Sequence, residues 1–411
     1  MSKSEGPLAG VRVLELGRLI AAPFCGQTLG DLGADVIKIE RVGGGDDIRG
    51  YGPPFLGGRE GDGSASAFYL NFNRNKRSIQ IDFGKPEGAD LIRKLVAQSD
   101  VFIENFKVGG LVKYGLDEPS LRKVREDLVY LSVSGFGQSG PYITRPATDV
   151  IVQGLCGLMS VTGEADGAPN RVGVPVADMM TGLYSAVSVV SALYGRAKGQ
   201  RHGDWARVSL LDAGMALMGS QAITAAMTGE PPLRMGNDGQ GSAPSGLFAC
   251  RNGEILIQAG KDPDYAKLCQ VLGIEHLASD PRFAERARRV ENYAILQPML
   301  IEAIGKRERQ EFYDALVSVG VICGPVTNIQ EALADPQVVA NKVEIPAGHP
   351  DNPELNLIAS PIRYQADAEP VRRHPPRLGE HGREILKELL GMDDKAIAGL
   401  AACGAIELDR A

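Results

Sequence analysis

The chain has 411 residues, of which 44% are hydrophobic and 23% charged, a balance that allows a large buried core and excludes global disorder. Its net charge of -7 disfavours a nucleic-acid-binding protein, which would carry basic stripes. Runs of about 18 apolar residues and a signal-peptide-like amino terminus are both missing, so the sequence predicts neither a membrane span nor export.

Six cysteines stand singly, without the C-x-x-C spacing of a zinc site or a redox pair. This pattern favours reduced thiols in a cytoplasmic protein and predicts no metal site. Histidine is scarce, with five in the chain, so few positions offer an imidazole base.

The segment up to Ser134 alternates short apolar strands with helices, as a parallel α/β sheet does. The predicted strands are Val11–Leu16, Asp35–Glu40, Ser78–Asp82, Val101–Glu104 and Leu128–Ser134, and the predicted helices are Phe24–Leu32, Gly88–Ser99 and Leu121–Glu126. Five strands separated by helices predict a doubly wound amino-terminal domain.

Gly135–Gly140 fits the G-x-G-x-x-G pattern of dinucleotide-binding loops. That fingerprint must open a helix, whereas Pro141 and Pro146 follow here. The glycines therefore end a strand in a turn, and the pattern argues against a nicotinamide enzyme.

An apolar run, Arg171–Tyr184, brings a single carboxylate, Asp178, to the start of a helix predicted over Thr181–Arg196. A helix N-terminus favours an ionised carboxylate. From the residues alone two interpretations stay open: Asp178 caps the helix by accepting backbone N–H bonds, or it is a reactive group.

For the remainder of the chain, the sequence predicts further helices and a few extended segments. The helices are Ser209–Met227, Tyr265–Leu272, Leu296–Ile304, Arg307–Val319 and Glu380–Leu390; Met235–Phe248 is a glycine-rich loop, Glu254–Ala259 a strand, Cys323–Asn328 a strand or turn, and Leu357–Pro361 and Arg363–Ala366 extended pieces.

Nine sequence blocks occur in one order along the chain. They are Leu8–Leu16, Ala21–Cys25, Leu29–Glu40, Asn73–Ile79, Asp100–Phe106, Gly135–Tyr142, Val176–Tyr184, Cys323–Glu331 and Leu378–His381. The set resembles the class III coenzyme A transferases, the superfamily that includes formyl-CoA transferase, carnitine CoA-transferase and α-methylacyl-CoA racemase.

The resemblance implies an α/β protein with a Rossmann-like large domain and a smaller α+β domain, in an interlocked homodimer. Residues 1–200 would form the amino-terminal part of the large domain and carry the active-site aspartate. Residues 201–225 would be a linker helix, 226–330 the small domain, and 331–411 a carboxy-terminal segment that returns to the large domain.

By the same resemblance Asp178 matches the family's nucleophile. It would attack an acyl-CoA thioester and form an aspartyl-CoA thioester on the way to transfer. No tightly bound cofactor is expected, because coenzyme A enters as part of the substrate.

The resemblance also places the coenzyme against nine residues: Ile20, Ala21, Arg41, Ile81, Asn105, Phe106, Lys107, Lys113 and Asp149. Arg41, Arg77, Lys107 and Lys113 could offset its phosphates, although a basic residue taken alone, without the family context, is more often a solvated surface charge. Lys113 replaces a family arginine and so loses the bidentate fork for phosphate.

The acyl group and the acid would meet a second set of residues. The glycine-rich Asn237–Gly241, with Gly239, Gln240 and Gly241, matches the loop that supplies oxyanion donors in the family. Arg171 could hold the distal carboxylate of a short dicarboxylic acid, or it could be a structural ion-pair partner.

A racemase of the same superfamily is the alternative function. Racemases carry a histidine before the aspartate of a G-H-D block, and the matching residues here are Ala147-Thr148-Asp149. The missing base argues against α-proton transfer.

Overall fold

The computed structural model describes residues 6–58, 65–200, 205–239, 241–364 and 371–408. The chain packs into two compact units. The first comprises Met1–Gly157, Val172–Ala222 and Pro336–Ala411, and the second comprises Leu158–Arg171 and Ile223–Asp335. Residues 158–171 thus group with the second unit, although the sequence-based ranges place them in 1–200.

Helices and strands alternate through the first part of the chain. In order they are β1 (Arg12–Glu15), α1 (Ala21–Asp31), β2 (Asp35–Glu40), α2 (Ala67–Phe72), β3 (Lys76–Ile81), α3 (Pro86–Val96), β4 (Val101–Glu104), α4 (Glu118–Arg122), β5 (Val129–Ser134), α5 (Asp149–Leu155), α6 (Val176–Ala197), β6 (Trp205–Ser209), α7 (Leu210–Leu217) and α8 (Gly219–Thr228).

The later elements complete the second unit and then return to the first. They are β7 (Ser245–Cys250), β8 (Gly253–Gln258), α9 (Asp262–Leu272), α10 (Glu275–Ala278), α11 (Arg286–Glu291), α12 (Tyr293–Gly305), α13 (Arg309–Ser318), β9 (Ile322–Pro325), α14 (Ile329–Leu333), α15 (Pro336–Ala340), β10 (Glu344–Pro346), β11 (Asn356–Ile358), α16 (Gly382–Leu390), α17 (Asp394–Ala402) and β12 (Ile406–Glu407).

The first unit is built on a seven-stranded sheet in the order β12-β3-β2-β1-β4-β5-β6. All neighbouring strands are parallel except β12, which runs antiparallel to β3. The order reverses direction at β1, from which the chain passes first to β2 and β3 and then to β4 and β5. The predicted parallel α/β sheet is therefore confirmed for its first five strands.

Successive strand residues face opposite sides of the sheet and enter two separate cores. Leu14, Ile37 and Phe102 belong to one apolar cluster, while Val13, Val36 and Val101 belong to the other. Helices cover both faces, so the strands read as continuous apolar runs rather than as an alternating pattern.

Two sequence predictions for the middle of the chain are wrong. The helix predicted over Ser209–Met227 is preceded by the edge strand β6 and is broken at Met218 into α7 and α8. The predicted loop Met235–Phe248 gives way to strand β7 at Ser245. Both errors occur where a strand borders apolar or glycine-rich residues that suit another conformation equally well.

Helix α6 runs through the apolar core of the first unit. A side chain at Gly182 would place its Cβ 2.8 Å from the carbonyl oxygen of Ala21, so only glycine lets α6 approach α1 this closely. By length and composition α6 could cross a bilayer, and 44% of its apolar window is buried inside the structure. Its buried residues, such as Ala186 and Val189, belong to the core of the first unit.

The second unit has its own core. Its sheet is antiparallel, with β8 between β7 and β9. Buried apolar residues of the sheet, including Ile255 and Ile257, pack with residues of the surrounding helices such as Leu268, Leu300 and Phe312.

Candidate active site

Asp178 lies in the first turn of α6. It is the third residue of the helix, whereas the N-cap position belongs to Pro175, which makes no side-chain cap. The interpretation of Asp178 as the capping residue is therefore wrong. Its side chain stays partly exposed, so a substrate can reach the carboxylate.

A residue of another helix caps the N-terminus of α6. Asp149, at the start of α5, accepts hydrogen bonds through Oδ1 from the backbone N–H of Ala177 at 2.8 Å and of Asp178 at 3.2 Å. Gln153 in turn donates from Nε2 to Oδ2 of Asp149 at 2.6 Å. The backbone donors at the head of α6 are thus turned toward Asp149 rather than toward the Asp178 carboxylate.

These surroundings raise the pKa of Asp178 from its ordinary value to about 7. Burial is the main cause, and the negative charge of Asp149 adds to it. Because the charged form is disfavoured, the carboxylate that remains is more basic than an exposed one, and a more basic oxygen is the better nucleophile.

The first loop lies next to this helix. Ile20 is buried and precedes α1, and Ala21 opens α1 with its carbonyl oxygen against Gly182, one turn beyond Asp178. The structure therefore brings two of the predicted coenzyme residues close to the helix that carries Asp178.

A cavity of about 210 Å³ opens at the carboxyl ends of β1, β2 and β3. Its lining comprises Leu16, Gly17, Arg18, Ile39, Glu40, Arg41, Gly45, Asp46, Ile81, Asp82, Phe83, Gly84, Phe106 and Tyr114. Parallel sheets bind ligands at this edge, beside the point where the strand order reverses. Arg41, Ile81 and Phe106 are the predicted coenzyme residues that line it.

Aromatic rings form one side of this cavity, and two cations lie against them. Phe83 contacts Phe106 and Tyr114 edge-on, with ring centroids 5.6 Å and 5.0 Å apart. The guanidinium of Arg18 lies 5.0 Å from the ring centroid of Phe106, and Nζ of Lys113 lies 4.7 Å from that of Tyr114. Such a wall suits a ligand that combines a flat ring with phosphates.

Sequence reasoning missed Arg18, Phe83 and Tyr114. Arg18 and Phe83 follow the ends of β1 and β3, so the rule that ligands bind after strand ends could have found them. Tyr114 comes ten residues after β4, and only its packing against Phe83 brings it to the cavity.

The loop after β1 is held in a costly conformation. Leu19 has φ 65°, a left-handed value that is uncommon for residues other than glycine. Asn105 donates to the carbonyl of Arg18 at 2.7 Å and accepts from its N–H at 2.9 Å, and Oδ1 of Asp46 accepts from the N–H of Leu19 at 3.0 Å. Strain maintained by side-chain bonds is typical of functional loops.

The predicted cations differ in their availability to a ligand. Arg41 is exposed and pairs with Asp47 at 3.4 Å, and Lys107 is exposed in the loop after β4. Arg77 was expected to offset phosphates, but it is buried and paired with Asp35, Glu384 and Glu388. That expectation is wrong, since three carboxylates already neutralise this guanidinium.

A network of buried charges lies beneath the cavity. Lys38 Nζ is 3.0 Å from Glu15 Oε1 and 2.9 Å from Asp46 Oδ2, and Lys76 Nζ is 2.8 Å from Glu15 Oε2. Asp46 also lines the cavity and holds Leu19, so the network connects the sheet to the first loop.

The remaining predicted residues belong to the second unit. Arg171 is exposed. Gly239 donates its N–H to the carbonyl of Ser245 at 2.9 Å, and Gly241 has φ 61° with its carbonyl accepting from Arg286 at 2.6 Å. Gln240 lies outside the described residues.

Metal-binding clusters are absent from the described part of the chain, since no three His, Cys, Asp or Glu residues there converge to hold an ion. The groups described for the site are the partly exposed carboxylate of Asp178, whose pKa is raised, and a cavity lined by aromatic rings and cations.

Comparison with known proteins agrees with the order of the sequence blocks. The sequence model of CoA-transferase family III matches residues 8–382. A succinate–glutarate CoA-transferase of Agrobacterium fabrum is 40% identical over 389 residues, covering 95% of this chain and 97% of the relative. The human succinyl-CoA:glutarate CoA-transferase is 33% identical, covering 98% of this chain and 90% of the relative.

A solved structure shares the fold. The CAIB/BAIF family protein from Brucella suis is 41% identical, with a TM-score of 0.85 over 93% of this chain and 99% of that one. This chain thus shares its mixed α/β fold, with a large parallel sheet, with that protein. By sequence, by fold and by the order of its motifs, this chain belongs to CoA-transferase family III.

Proposed function

We propose that this CoA-transferase moves coenzyme A from an acyl-CoA to a short dicarboxylic acid such as succinate or glutarate. The similar enzymes of Agrobacterium and man are named for this pair of acids, and a relative from Chloroflexus aurantiacus, 34% identical, is named for succinyl-CoA and D-citramalate. Acyl-CoA thioesters and free carboxylic acids are then its substrates.

Asp178 is the nucleophile of the proposed reaction. Its carboxylate oxygen attacks the thioester carbonyl and expels the CoA thiolate, which leaves a mixed anhydride. The thiolate attacks the aspartyl carbonyl, and the donor acid departs as a carboxylate. The acceptor carboxylate then attacks the aspartyl-CoA thioester, and the same two steps run in reverse. The observation that supports this role is the partly exposed carboxyl of raised pKa at the head of α6.

Trapping the intermediate tests this function. Wild-type protein incubated with succinyl-CoA and no acceptor should gain the mass of coenzyme A less one water on the peptide that contains Asp178, as read by mass spectrometry. Hydroxylamine, which cleaves thioesters, should remove the adduct. An adduct on another residue, or none under conditions of full turnover, would contradict the role of Asp178.

The cavity at the strand ends is the proposed coenzyme site. Arg41 and Phe106 line it, Lys113 stands beside Tyr114, and Asn105 holds the loop that carries Arg18. Ile20, Ala21, Ile81, Lys107 and Asp149 complete the proposed set.

Arg41→Ala and Lys113→Ala should each weaken CoA binding by about 1.5–3 kcal/mol, roughly 10- to 150-fold in Kd, because each removes a cation that bonds a phosphate. Isothermal titration with CoA and with dephospho-CoA measures the loss and shows which phosphate each cation binds. Lys306→Ala is the matched control, since Lys306 is exposed in the second unit and pairs only with the equally exposed Glu302 among its described neighbours. If both variants bind CoA with wild-type affinity, Arg41 and Lys113 do not bind its phosphates and the proposed phosphate site is wrong.

Arg171 is the proposed contact for the distal carboxylate of the acid. Arg171→Met should raise KM for succinate at least about tenfold, the value of one charge-assisted hydrogen bond, and leave KM for butyrate nearly unchanged. Arg288→Met, which removes an exposed arginine paired with Glu291, is the control. Equal effects on the two acids would make Arg171 a structural residue.

The backbone donors of Gln240 and Gly241 are the proposed stabilisers of the oxyanion, and Gly239, whose own N–H already bonds the carbonyl of Ser245, holds the segment in place. A side chain at Gly239 would place its Cβ 2.5 Å from Oγ of Ser245 and displace this segment. Gly239→Ala should therefore lower kcat while CoA affinity is kept; unchanged kcat would exclude the segment from catalysis.

A homodimer is the proposed assembly, with the two-domain arrangement of the family. The exposed face of α6 carries Leu183, Val187, Val190 and Tyr194 at helical spacing, and Val187 and Tyr194 are 63% and 65% exposed. An apolar stripe of this length marks an interaction surface. Light scattering should give twice the chain mass, and fractionation should find the protein in the cytoplasm.

The racemase alternative has little support. Thr148, at the position of the racemase histidine, is exposed and carries no group that accepts an α-proton near neutral pH.

A further inference from the structure

We propose that Gln153 is a positioning residue for the nucleophile, acting through Asp149 to orient the first turn of α6. This inference rests on the proposed role of Asp178. Gln153 itself does not reach the substrate, because its side chain is fully buried.

Gln153 connects two parts of the chain that flank Asp178. It lies four residues after Asp149 on α5, on the same helix face. Its Nε2 donates to Oδ2 of Asp149 at 2.6 Å, and its Oε1 accepts from the N–H of Val172 at 2.9 Å. Both polar atoms of the Gln153 amide therefore have a hydrogen-bond partner.

Asp149 completes the connection with its other oxygen. Oδ1 accepts from the N–H of Ala177 and of Asp178. The segment from Val172 to Asp178 is consequently held at both ends by one pair of side chains on α5. The turn at Pro175, where α6 begins, lies between these two anchors.

The arrangement affects the chemistry of Asp178. Free N–H groups at a helix N-terminus stabilise a nearby anion and would make the Asp178 carboxylate less reactive. Asp149 occupies two of these groups, and the bond from Gln153 keeps its oxygens in the orientation that does so. Loss of Gln153 should therefore slow the chemical step more than it weakens substrate binding.

The chemistry of the amide suggests a sharp test. A glutamine donates to a carboxylate and accepts from a backbone N–H at once, which neither methionine nor an ionised glutamate can do. In Asp149→Asn/Gln153→Glu the donor and acceptor are exchanged: the asparagine donates to the glutamate, which also accepts from Val172, and Oδ1 at position 149 still faces α6. The net charge of the pair is unchanged.

Gln153→Met, Gln153→Glu and Asp149→Asn should each lower kcat about 10- to 100-fold, the value of a charge-assisted hydrogen bond. In the two Gln153 variants, KM for the acyl-CoA should stay within about twofold of wild type. The double variant should recover most of this loss, giving a strong coupling in a double-mutant cycle. The single-turnover rate of CoA-adduct formation should fall in the three single variants and recover in the double variant. Thermal unfolding of each variant shows whether it is folded.

Wild-type turnover in Gln153→Met, or a double variant no better than the worse single variant, would overturn the inference. If Gln153→Glu does not fold, Gln153→Met and the double variant decide the question. Asp178→Asn serves as the reference. If it keeps turnover, the proposed function has failed; if it is inactive while every Gln153 variant matches wild type, only the role of Gln153 is wrong.

Discussion

Replacing Asp178 by asparagine should lower kcat by at least about three orders of magnitude, because the amide is a poor nucleophile and no covalent intermediate forms. The side chain keeps its size and stays at the same place in α6, so CoA affinity and thermal stability should change little. Succinyl-CoA with glutarate, followed by chromatography of the acyl-CoA products, measures the loss.

Asp212→Asn is the matched control. Asp212 is also an acidic residue in the first turn of a helix of the same unit, α7. The residue is exposed, and its Oδ2 accepts a hydrogen bond from Oγ of Ser209 at 2.6 Å. Both variants remove one negative charge near a helix N-terminus, so a general effect of charge would appear in both. Turnover of Asp178→Asn within tenfold of wild type would show that another group carries the acyl transfer.

Lys38→Met should lower the free energy of unfolding by about 3–5 kcal/mol, the cost of breaking a buried ion pair by removing one partner. Lys38 is wholly buried and lies within 3.0 Å of Glu15 and 2.9 Å of Asp46. Without it, both carboxylates lose a neighbouring positive charge inside the protein. Urea unfolding followed by circular dichroism gives the difference in free energy.

Two further variants test whether the loss of stability comes from the unpaired buried carboxylates. Lys306→Met removes a lysine from an exposed pair with Glu302 and should cost less than about 0.5 kcal/mol. Lys38→Met/Asp46→Asn removes one of the stranded charges and should be more stable than Lys38→Met alone. A loss below about 1 kcal/mol for Lys38→Met would mean that water or rearrangement compensates the carboxylates.

Local patterns predicted much of the sheet correctly. Asp35–Glu40 and Val101–Glu104 are strands over the predicted residues, since each is a short apolar run between residues that favour turns. Strand β6 was missed because a long apolar segment follows it, and β12 has only two residues and exists through its pairing with β3. Pairing between distant residues leaves no local signal in the sequence.

The residues of the candidate site likewise fall into two groups: those that the sequence identified and those whose role depends on contacts in the folded protein. The sequence by itself determined the family, through the order of nine blocks, and singled out Asp178 as the carboxylate at the head of a long apolar helix. Only the tertiary structure decided that Asp149 and Gln153, rather than Asp178, serve the N-terminus of α6, and that Arg77 is neutralised inside the protein. A residue's type states what it can bond, but its partners are set by packing between segments far apart in the chain, and those partners decide whether a charge is buried, paired or free to react.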